Sequence, residues 1–276
     1  MADVPVSSAG AGLPRRAGPS RLRRALSEPA TLFGVVLVVF HLALALLAPL
    51  IAPYNTSALV GMPLQPPSWE FPMGTDQVGR DYFSRIIAGG RIALMVSFLG
   101  VAVALVVGTV LGICAGYLGG RTDEIIMRVV DGMMSIPDLI LIAILTLAIG
   151  KDISALIPVI AVVYTWGVVR VVRAKTVTLS AMDFVRAAEL RGETRISIMF
   201  REILPNLYGF LGVELAVRLS AAVLRISALS FLGLGISQPT PDWGLMVQEA
   251  MGVIFTDPWF LLLPAIMLSS LIVGVN

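Results

Sequence analysis

Long apolar runs separated by short polar segments make up most of the chain from residue 31 onward. A helix needs about 20 predominantly apolar residues to cross the hydrocarbon core of a bilayer, and six runs approach that length. The predicted spans are Thr31–Ile51, Ile92–Tyr117, Met133–Ile149, Leu156–Val172, Leu207–Leu232 and Pro258–Val275. The pattern therefore predicts an all-α, polytopic membrane protein with six transmembrane helices.

The first apolar run is about 20 residues long, beyond the roughly 7–15 of a signal-peptide core, so we expect a retained helix. Basic residues then set the orientation, because short cytoplasmic loops collect Lys and Arg. With the N-terminus inside, the inner segments carry 14 Lys and Arg and the outer segments carry four. The inner segments are 1–31, 118–132 and 170–206, and the outer segments are 52–91, 150–155 and 233–257. Both termini are predicted to be cytoplasmic, in the plasma (inner) membrane.

The composition excludes several classes of protein. The chain is 57% hydrophobic and 14% charged, with a mean hydropathy of +0.89, whereas soluble domains carry about 25% charge. The net charge of +2 is too small for a nucleic-acid binder. With one cysteine, Cys114, and one histidine, His41, neither a disulfide framework nor a Cys/His zinc site is expected. No nucleotide-binding loop is present, and His41 is interpreted as a buried helix residue.

The same pattern divides the chain into three parts. Residues 1–31 are rich in Gly, Pro, Ser, Ala and Arg, which predicts a disordered segment whose arginines lie near anionic lipid headgroups. Residues 32–91 hold the first helix and a long extracytoplasmic loop. Residues 92–276 form a core of five helices and include a cytoplasmic loop, 180–206. The chain ends at Asn276, where a naturally short end and a truncated chain both remain open.

The cytoplasmic loop contains a segment, residues 183–205, that we call the elbow. Asp183 is predicted to cap a first short helix, and Gly192 permits a bend. A second helix, Thr194–Ile203, is predicted to end at Pro205.

The tip of the elbow carries two small residues among charged ones. Ala187 and Ala188 leave a bare patch that another protein can approach closely. Two interpretations remain open, docking of the elbow in a groove of a partner protein and an amphipathic helix lying on the lipid headgroups.

The elbow resembles the EAA loop of ABC-importer permeases. The resemblance rests on Arg186-Ala187-Ala188, on Gly192 and on Ile203-Leu204-Pro205; Arg186 stands where the family has glutamate. In that family the loop is the coupling helix that seats in a cleft of the ATPase subunit. The resemblance thus implies that coupling to the ATPase involves Arg186, Ala187, Ala188, Gly192, Leu204 and Pro205.

Two further segments are similar to the C-type subunit of dipeptide, oligopeptide and nickel importers. They are residues 74–85, GTDQVGRDYFSR, and residues 228–244, which begin ALSFLGLG and end PTPDWG. The resemblance implies a B-type permease as a second subunit, two ATPase subunits that bind ATP and Mg, and an extracytoplasmic substrate-binding protein. No cofactor is expected on this chain itself. Asp76, Arg80 and Asp81 are interpreted either as a salt-bridged turn or as a contact for the binding protein.

Three charges interrupt the predicted fifth span. Glu214, Arg218 and Arg225 fall on one broad helix face, and charges inside a bilayer are costly. They are therefore expected to face a wet pathway or a neighbouring helix. A contact with a zwitterionic solute and an internal Glu214–Arg218 pair both remain open.

The resemblance identifies the chain as the permease subunit of an ATP-driven importer, most simply of dipeptides or short oligopeptides. Nickel, haem-like and other cargos remain open, because the binding protein selects the cargo in such systems. The alternatives of another class are a gradient-driven carrier, a membrane hydrolase that uses His41 and a non-transporting scaffold.

Overall fold

The computed structural model describes residues 28–276, a helical bundle with a small cap at one end. Within these residues the only extended pairing is a single bridge between Thr75 and Asp81. The helices are α1 (Pro29–Ile51), α2 (Tyr82–Ala88), α3 (Arg91–Leu118), α4 (Gly120–Met134), α5 (Asp138–Ile149), α6 (Ile153–Ser180), α7 (Asp183–Leu190), α8 (Arg195–Ser197), a π-helical segment (Ile198–Ile203), α9 (Leu204–Phe231), α10 (Trp243–Ala250) and α11 (Trp259–Val275). The mostly helical fold confirms the predicted fold class.

Four helical stretches of the described chain are long and apolar enough to cross a membrane. They are Pro29–Ile51, Tyr82–Leu118, Ile153–Ser180 and Arg195–Phe231. The pair α4 and α5 would make a fifth if it is one broken span, and α11 is a shorter apolar helix of 17 residues. The existence of these apolar helices was predicted correctly, but the count of six remains a prediction.

The predicted disorder of residues 1–31 falls largely on residues 1–27, which lie outside the described part of the chain. Its last residues were assigned wrongly, because α1 begins at Pro29. Proline suits the first turn of a helix, where its missing N–H leaves no hydrogen bond unmade.

The centre of the bundle is the close contact between α3 and α6. Glycines 100, 108, 112 and 116 of α3 face residues 160, 168, 172 and 176 of α6, and a Cβ at any of these glycines would collide with its neighbour. Residue numbers rise together along the contact, so α3 and α6 run parallel. The glycine stripe acts in packing, and the chain between the two helices must return to the end from which α3 started.

Two helices, α4 and α5, carry the chain back to the end of the bundle from which α3 started. α4 and α5 meet at an angle of 86°, so the prediction of a continuous third span, Met133–Ile149, was wrong. Pro137 causes the break: it has an extended conformation, lacks an N–H and disfavours helix at the residue before it. α5 alone, with 12 residues, is about 18 Å long.

The first and last helices of the described chain, α1 and α11, pack against each other. Glycines 34 and 274 meet near one end, and His41 of α1 lies 2.9 Å from the hydroxyl of Ser270 in α11. His41 is 1% exposed and its ring contacts Trp243 edge-on. The interpretation of His41 as a buried helix residue is confirmed.

Candidate functional site

The elbow connects α6 to α9 at the end of the bundle where α3 and α6 terminate, opposite the end that carries α2 and α10. Its bend lies at Gly192, which has a φ of +76° that other residues rarely adopt. The N–H of Gly192 donates to the carbonyl of Glu189, and the N–H of Glu193 donates to that of Ala188. Asp183 is the first residue of α7 and Met182 is the N-cap of this helix, so the predicted N-cap position was off by one residue.

The second half of the elbow continues directly into α9, so the prediction that Pro205 ends a helix was wrong. The segment Ile198–Ile203 widens into a π-helix, in which the N–H of Leu204 donates to the carbonyl of Met199, five residues back. Pro205 lies in the first turn of α9. The wider π turn accommodates a proline that would otherwise strip a hydrogen bond from a continuous α-helix.

The base of the elbow is buried in the bundle. Val185, Ala188, Ile198 and Ile203 are at most 1% exposed and belong to one apolar cluster. Residues from three long helices complete that cluster, among them Ile113, Val172, Leu179 and Leu207. The hydroxyl of Tyr117 also donates to Glu189, at 3.1 Å. A force on the elbow therefore acts on α3, α6 and α9 together.

The tip of the elbow is exposed and differs from the predicted bare patch. Arg186 and Ala187 face outward, whereas Ala188 is buried. Leu190, which the sequence did not single out, is 89% exposed. The outward surface of α7 thus comprises Asp183, Arg186, Ala187, Glu189 and Leu190, so Ala187 and Leu190 lie among charges of both signs.

Charged side chains fix the angle of the bend. The Arg191 guanidinium lies 2.7 Å from Glu193 and 3.6 Å from Glu202. The hydrogen bond from Arg191 holds the pKa of the Glu193 carboxyl below its usual value. These pairs are largely exposed, so they orient the two halves more than they stabilise them.

The three charges of α9 divide into two groups. Glu214 and Arg218 pair with each other at 3.0 Å, with 15% and 22% of their side chains exposed. The Arg218 guanidinium lies against Gly167 of α6, where a Cβ would collide with it. This contact is the internal Glu214–Arg218 ion pair, one of the two interpretations that the sequence allowed.

Arg225 pairs instead with a residue that the sequence did not predict. Its guanidinium lies 3.0 Å from Asp138, the first residue of α5, and both side chains are partly exposed. A charge at the bilayer centre costs about 2.5–3.5 kcal/mol on insertion scales. The exposed surface of this ion pair must therefore contact water or another protein chain rather than lipid.

The cap is formed by residues 52–88, which include α2, and residues 242–258, which include α10, and it encloses a network of charges. Arg85 has no exposed side-chain surface and lies 3.4 Å from both Asp76 and Glu249. Arg80 lies 2.6 Å from Asp76 and 3.6 Å from Glu249. Asp81 caps α2 by accepting hydrogen bonds from Ser84. Asp76, Arg80 and Asp81 are at most 5% exposed, so the structure places them inside the cap.

Asp242 begins the second part of the cap. It caps α10 by accepting a hydrogen bond from the N–H of Leu245, at 3.1 Å, and is fully buried. Burial raises the pKa of its carboxyl from 3.8 to about 6, against the effect of that hydrogen bond.

The chain is similar to known membrane transport proteins over most of its length. Residues 108–276 match the family described as binding-protein-dependent transport system inner membrane component. The dipeptide transport system permease protein DppC of Haemophilus influenzae is 34% identical over 89% of this chain and 85% of that protein. The di/tripeptide transport system permease protein DppC of Pseudomonas aeruginosa is 34% identical over 88% and 82%. The oligopeptide transport system permease protein OppC of Bacillus subtilis is 29% identical over 91% and 82%.

Proposed function

The chain belongs to the family of binding-protein-dependent transport system inner membrane components, among the permeases of dipeptide and oligopeptide importers, and we propose that it forms one half of the translocation pathway of an ATP-driven peptide importer. It is a multi-pass inner-membrane protein and a transport component. A related B-type permease supplies the other half of the pathway.

The elbow, residues 183–205, carries this proposal because its tip is exposed and its base is buried. An ATPase subunit that grips Arg186, Ala187 and Leu190 acts on a lever continuous with α9 and packed against α3 and α6. Gly192 sets the bend, and Leu204 and Pro205 join the lever to the span. Closure of two ATPases around ATP and Mg²⁺ then changes the inclination of the long helices, and neither ligand binds this chain.

The cap is proposed to receive the extracytoplasmic binding protein. Asp76, Arg80 and Asp81 support this role by holding the cap rigid from inside, while exposed residues such as Trp69 and Phe255 lie at its surface. The charge distribution supports cytoplasmic termini and, with them, an elbow on the side where ATP is available.

Peptide cargo is supported by the names of the relatives, which are dipeptide, di/tripeptide and oligopeptide permeases. Nickel or haem-like cargo is the alternative within the same class of importer. A competition assay separates these cargos, because only a true cargo displaces a labelled dipeptide from the uptake reaction.

The test is ATP-dependent uptake by the reconstituted complex. Proteoliposomes holding both permeases and both ATPases, with the binding protein outside, are expected to accumulate a labelled dipeptide only when ATP is inside. A cysteine replacing Leu190, in a chain with Cys114→Ala, should crosslink to the ATPase, whereas a cysteine at the remote cap residue Phe255 should not. Uptake by this chain without ATPases, driven by an ion gradient, would contradict the proposal and support a secondary carrier.

A further inference from the structure

Five polar side chains of α5, α6 and α9 include two ion pairs, Glu214–Arg218 and Asp138–Arg225. They are Asp138, Tyr164, Glu214, Arg218 and Arg225, defined together here as the seam. Tyr164 belongs to an apolar cluster that includes Ile142, Val163 and Ile226. A polar track inside an apolar bundle is costly unless it is functional or fully paired, so each member requires an explanation.

The Asp138–Arg225 pair lies far from both ends of the bundle along its length. α5 runs from Asp138 to Ile149 and is about 18 Å long, against a hydrocarbon core about 30 Å thick. The far end of α5 is level with the far end of α9, because Lys151 donates to the carbonyl of Gly233 at 2.8 Å. The Asp138 carboxylate therefore lies well below the membrane surface, at the start of a half-helix.

The pair is open to its surroundings. The Asp138 side chain is 48% exposed and the Arg225 side chain 34%, roughly twice the exposure of Glu214 and Arg218. Since lipid would penalise both charges, this opening faces water or the second permease. The Glu214–Arg218 pair is more closed and lies against Gly167, which assigns it to holding α6 and α9 together.

Tyr164 provides an independent observation. Its side chain belongs to the buried core at 4% exposure, yet its hydroxyl has no hydrogen-bond partner within residues 28–276. Tyr164 lies one helical turn before Gly167 of α6, against which the Arg218 guanidinium packs. The Nε of Arg225 is likewise buried without a partner. Unmade hydrogen bonds beside an open ion pair point to a ligand that completes them.

We propose that the seam is a contact station for a zwitterionic peptide, in which Asp138 receives the ammonium group and Arg225 receives the carboxylate. The internal ion pair opens as the solute enters and is exchanged for two ionic contacts with the solute, and it closes again when the solute leaves. Tyr164 supplies a hydrogen bond to the solute in the open state. This inference rests on the proposed function and names two residues, Asp138 and Tyr164, to which that function assigns no role.

The first experiment measures peptides imported per ATP hydrolysed in the complete reconstituted complex. Asp138→Asn and Arg225→Gln are each expected to lower that ratio by about tenfold or more, as the loss of one charge-assisted contact does. The matched control is Asp131→Asn with Arg170→Gln, an ion pair between α4 and α6 outside the seam, which should leave the ratio unchanged. Pull-down with the partner subunits checks assembly of each variant.

The charge-swapped variant, Asp138→Arg with Arg225→Asp, separates contact from structure. A pair that only holds the bundle together is restored by the swap, so normal import by this variant would overturn the proposal. Continued loss of import in an assembled complex supports it.

The second experiment needs no variant. A dipeptide carrying photoleucine is trapped in the working wild-type complex and irradiated, and mass spectrometry locates the label. Labelling within residues 135–141, 160–167 or 221–228 is expected, and its absence there would overturn the station. Failure of the proposed function is distinguishable, because wild-type proteoliposomes would then show no ATP-dependent uptake at all.

Discussion

At the scale of single residues, Asp242 combines a structural role with an unfavourable environment. Its carboxylate accepts the Leu245 N–H and so caps α10, but it does this from a fully buried position. The folded-state pKa of about 6 exceeds the ordinary value of 3.8. The native state therefore binds the proton more tightly than the unfolded state. The stability contributed by this group is complete below about pH 4 and is lost as the pH rises through about 6.

Asp242→Asn is expected to stabilise the protein at pH 7.5 by up to about 3 kcal/mol, because a neutral amide keeps the cap and removes a buried charge. The difference from wild type should shrink towards zero at pH 4.5. Thermal unfolding in detergent across this range measures it. The control is Asp152→Asn, an exposed carboxylate that precedes α6, for which a flat difference is expected. A pH-independent effect at Asp242 would contradict the assignment.

Two glycines inside different long helices, Gly112 of α3 and Gly209 of α9, provide a matched pair. Gly112→Ala places a Cβ within about 3 Å of Val172 and is expected to destabilise the bundle by about 1–3 kcal/mol. Gly209→Ala meets nothing within 4 Å and should stabilise α9 by about 0.5–1 kcal/mol, because alanine loses less backbone freedom. Both are measured by thermal unfolding of the purified chain. Equal effects of the two changes would exclude close packing as the role of the α3 glycines.

At the scale of elements, two neighbouring alanines of the elbow have different surroundings and are therefore expected to have different roles. Ala187 faces outward and Ala188 packs into the cluster beneath α7. Ala187→Trp is therefore expected to leave folding intact and to reduce ATPase binding in a pull-down by at least about tenfold, since bulk blocks close approach at an interface. Ala188→Trp is expected to lower the melting temperature of the isolated chain, because overpacking a filled core is destabilising. Strong ATPase binding by an intact Ala187→Trp variant would remove the docking role.

The cap makes a second prediction at this scale. Glu249 and Asp76 together neutralise Arg80 and Arg85, both buried, so Glu249→Gln leaves two buried positive charges facing the single carboxylate of Asp76. The expected loss is about 3–5 kcal/mol, measured as thermal unfolding. Glu70→Gln, at an exposed carboxylate of the same cap, serves as the control and should change little. Equal stability of the two variants would mean that the network contributes nothing to the cap.

The apolar runs and the elbow could be predicted from sequence because both depend on local pattern. Gly192 and the order of helices around it follow from residues close together in the chain. The partner of Arg225 could not be predicted, because Asp138 lies 87 residues away and pairs across elements. Glu249 joins Arg85 across 164 residues for the same reason. Pro137 was a candidate for a kink, but the apolar run around it gave no sign of an angle of 86° between α4 and α5.

At the scale of the whole molecule, the directions of the helices constrain which surfaces face the same side. α3 and α6 run parallel, while α1 and α11 run antiparallel, so the elbow and the cap lie at opposite ends of the bundle. The bias of basic residues predicts that the elbow end is cytoplasmic.

Leu190 and Phe255 test this arrangement because they are 89% and 99% exposed at opposite ends. With Cys114→Ala as background, Phe255→Cys is expected to react with a membrane-impermeant maleimide in intact spheroplasts, because it faces outward. Leu190→Cys should react only after permeabilisation. The reverse pattern would invert the topology and leave the elbow out of reach of ATP. Labelling of both from one side would mean that α9 does not cross the membrane, and the lever would then have no span to move.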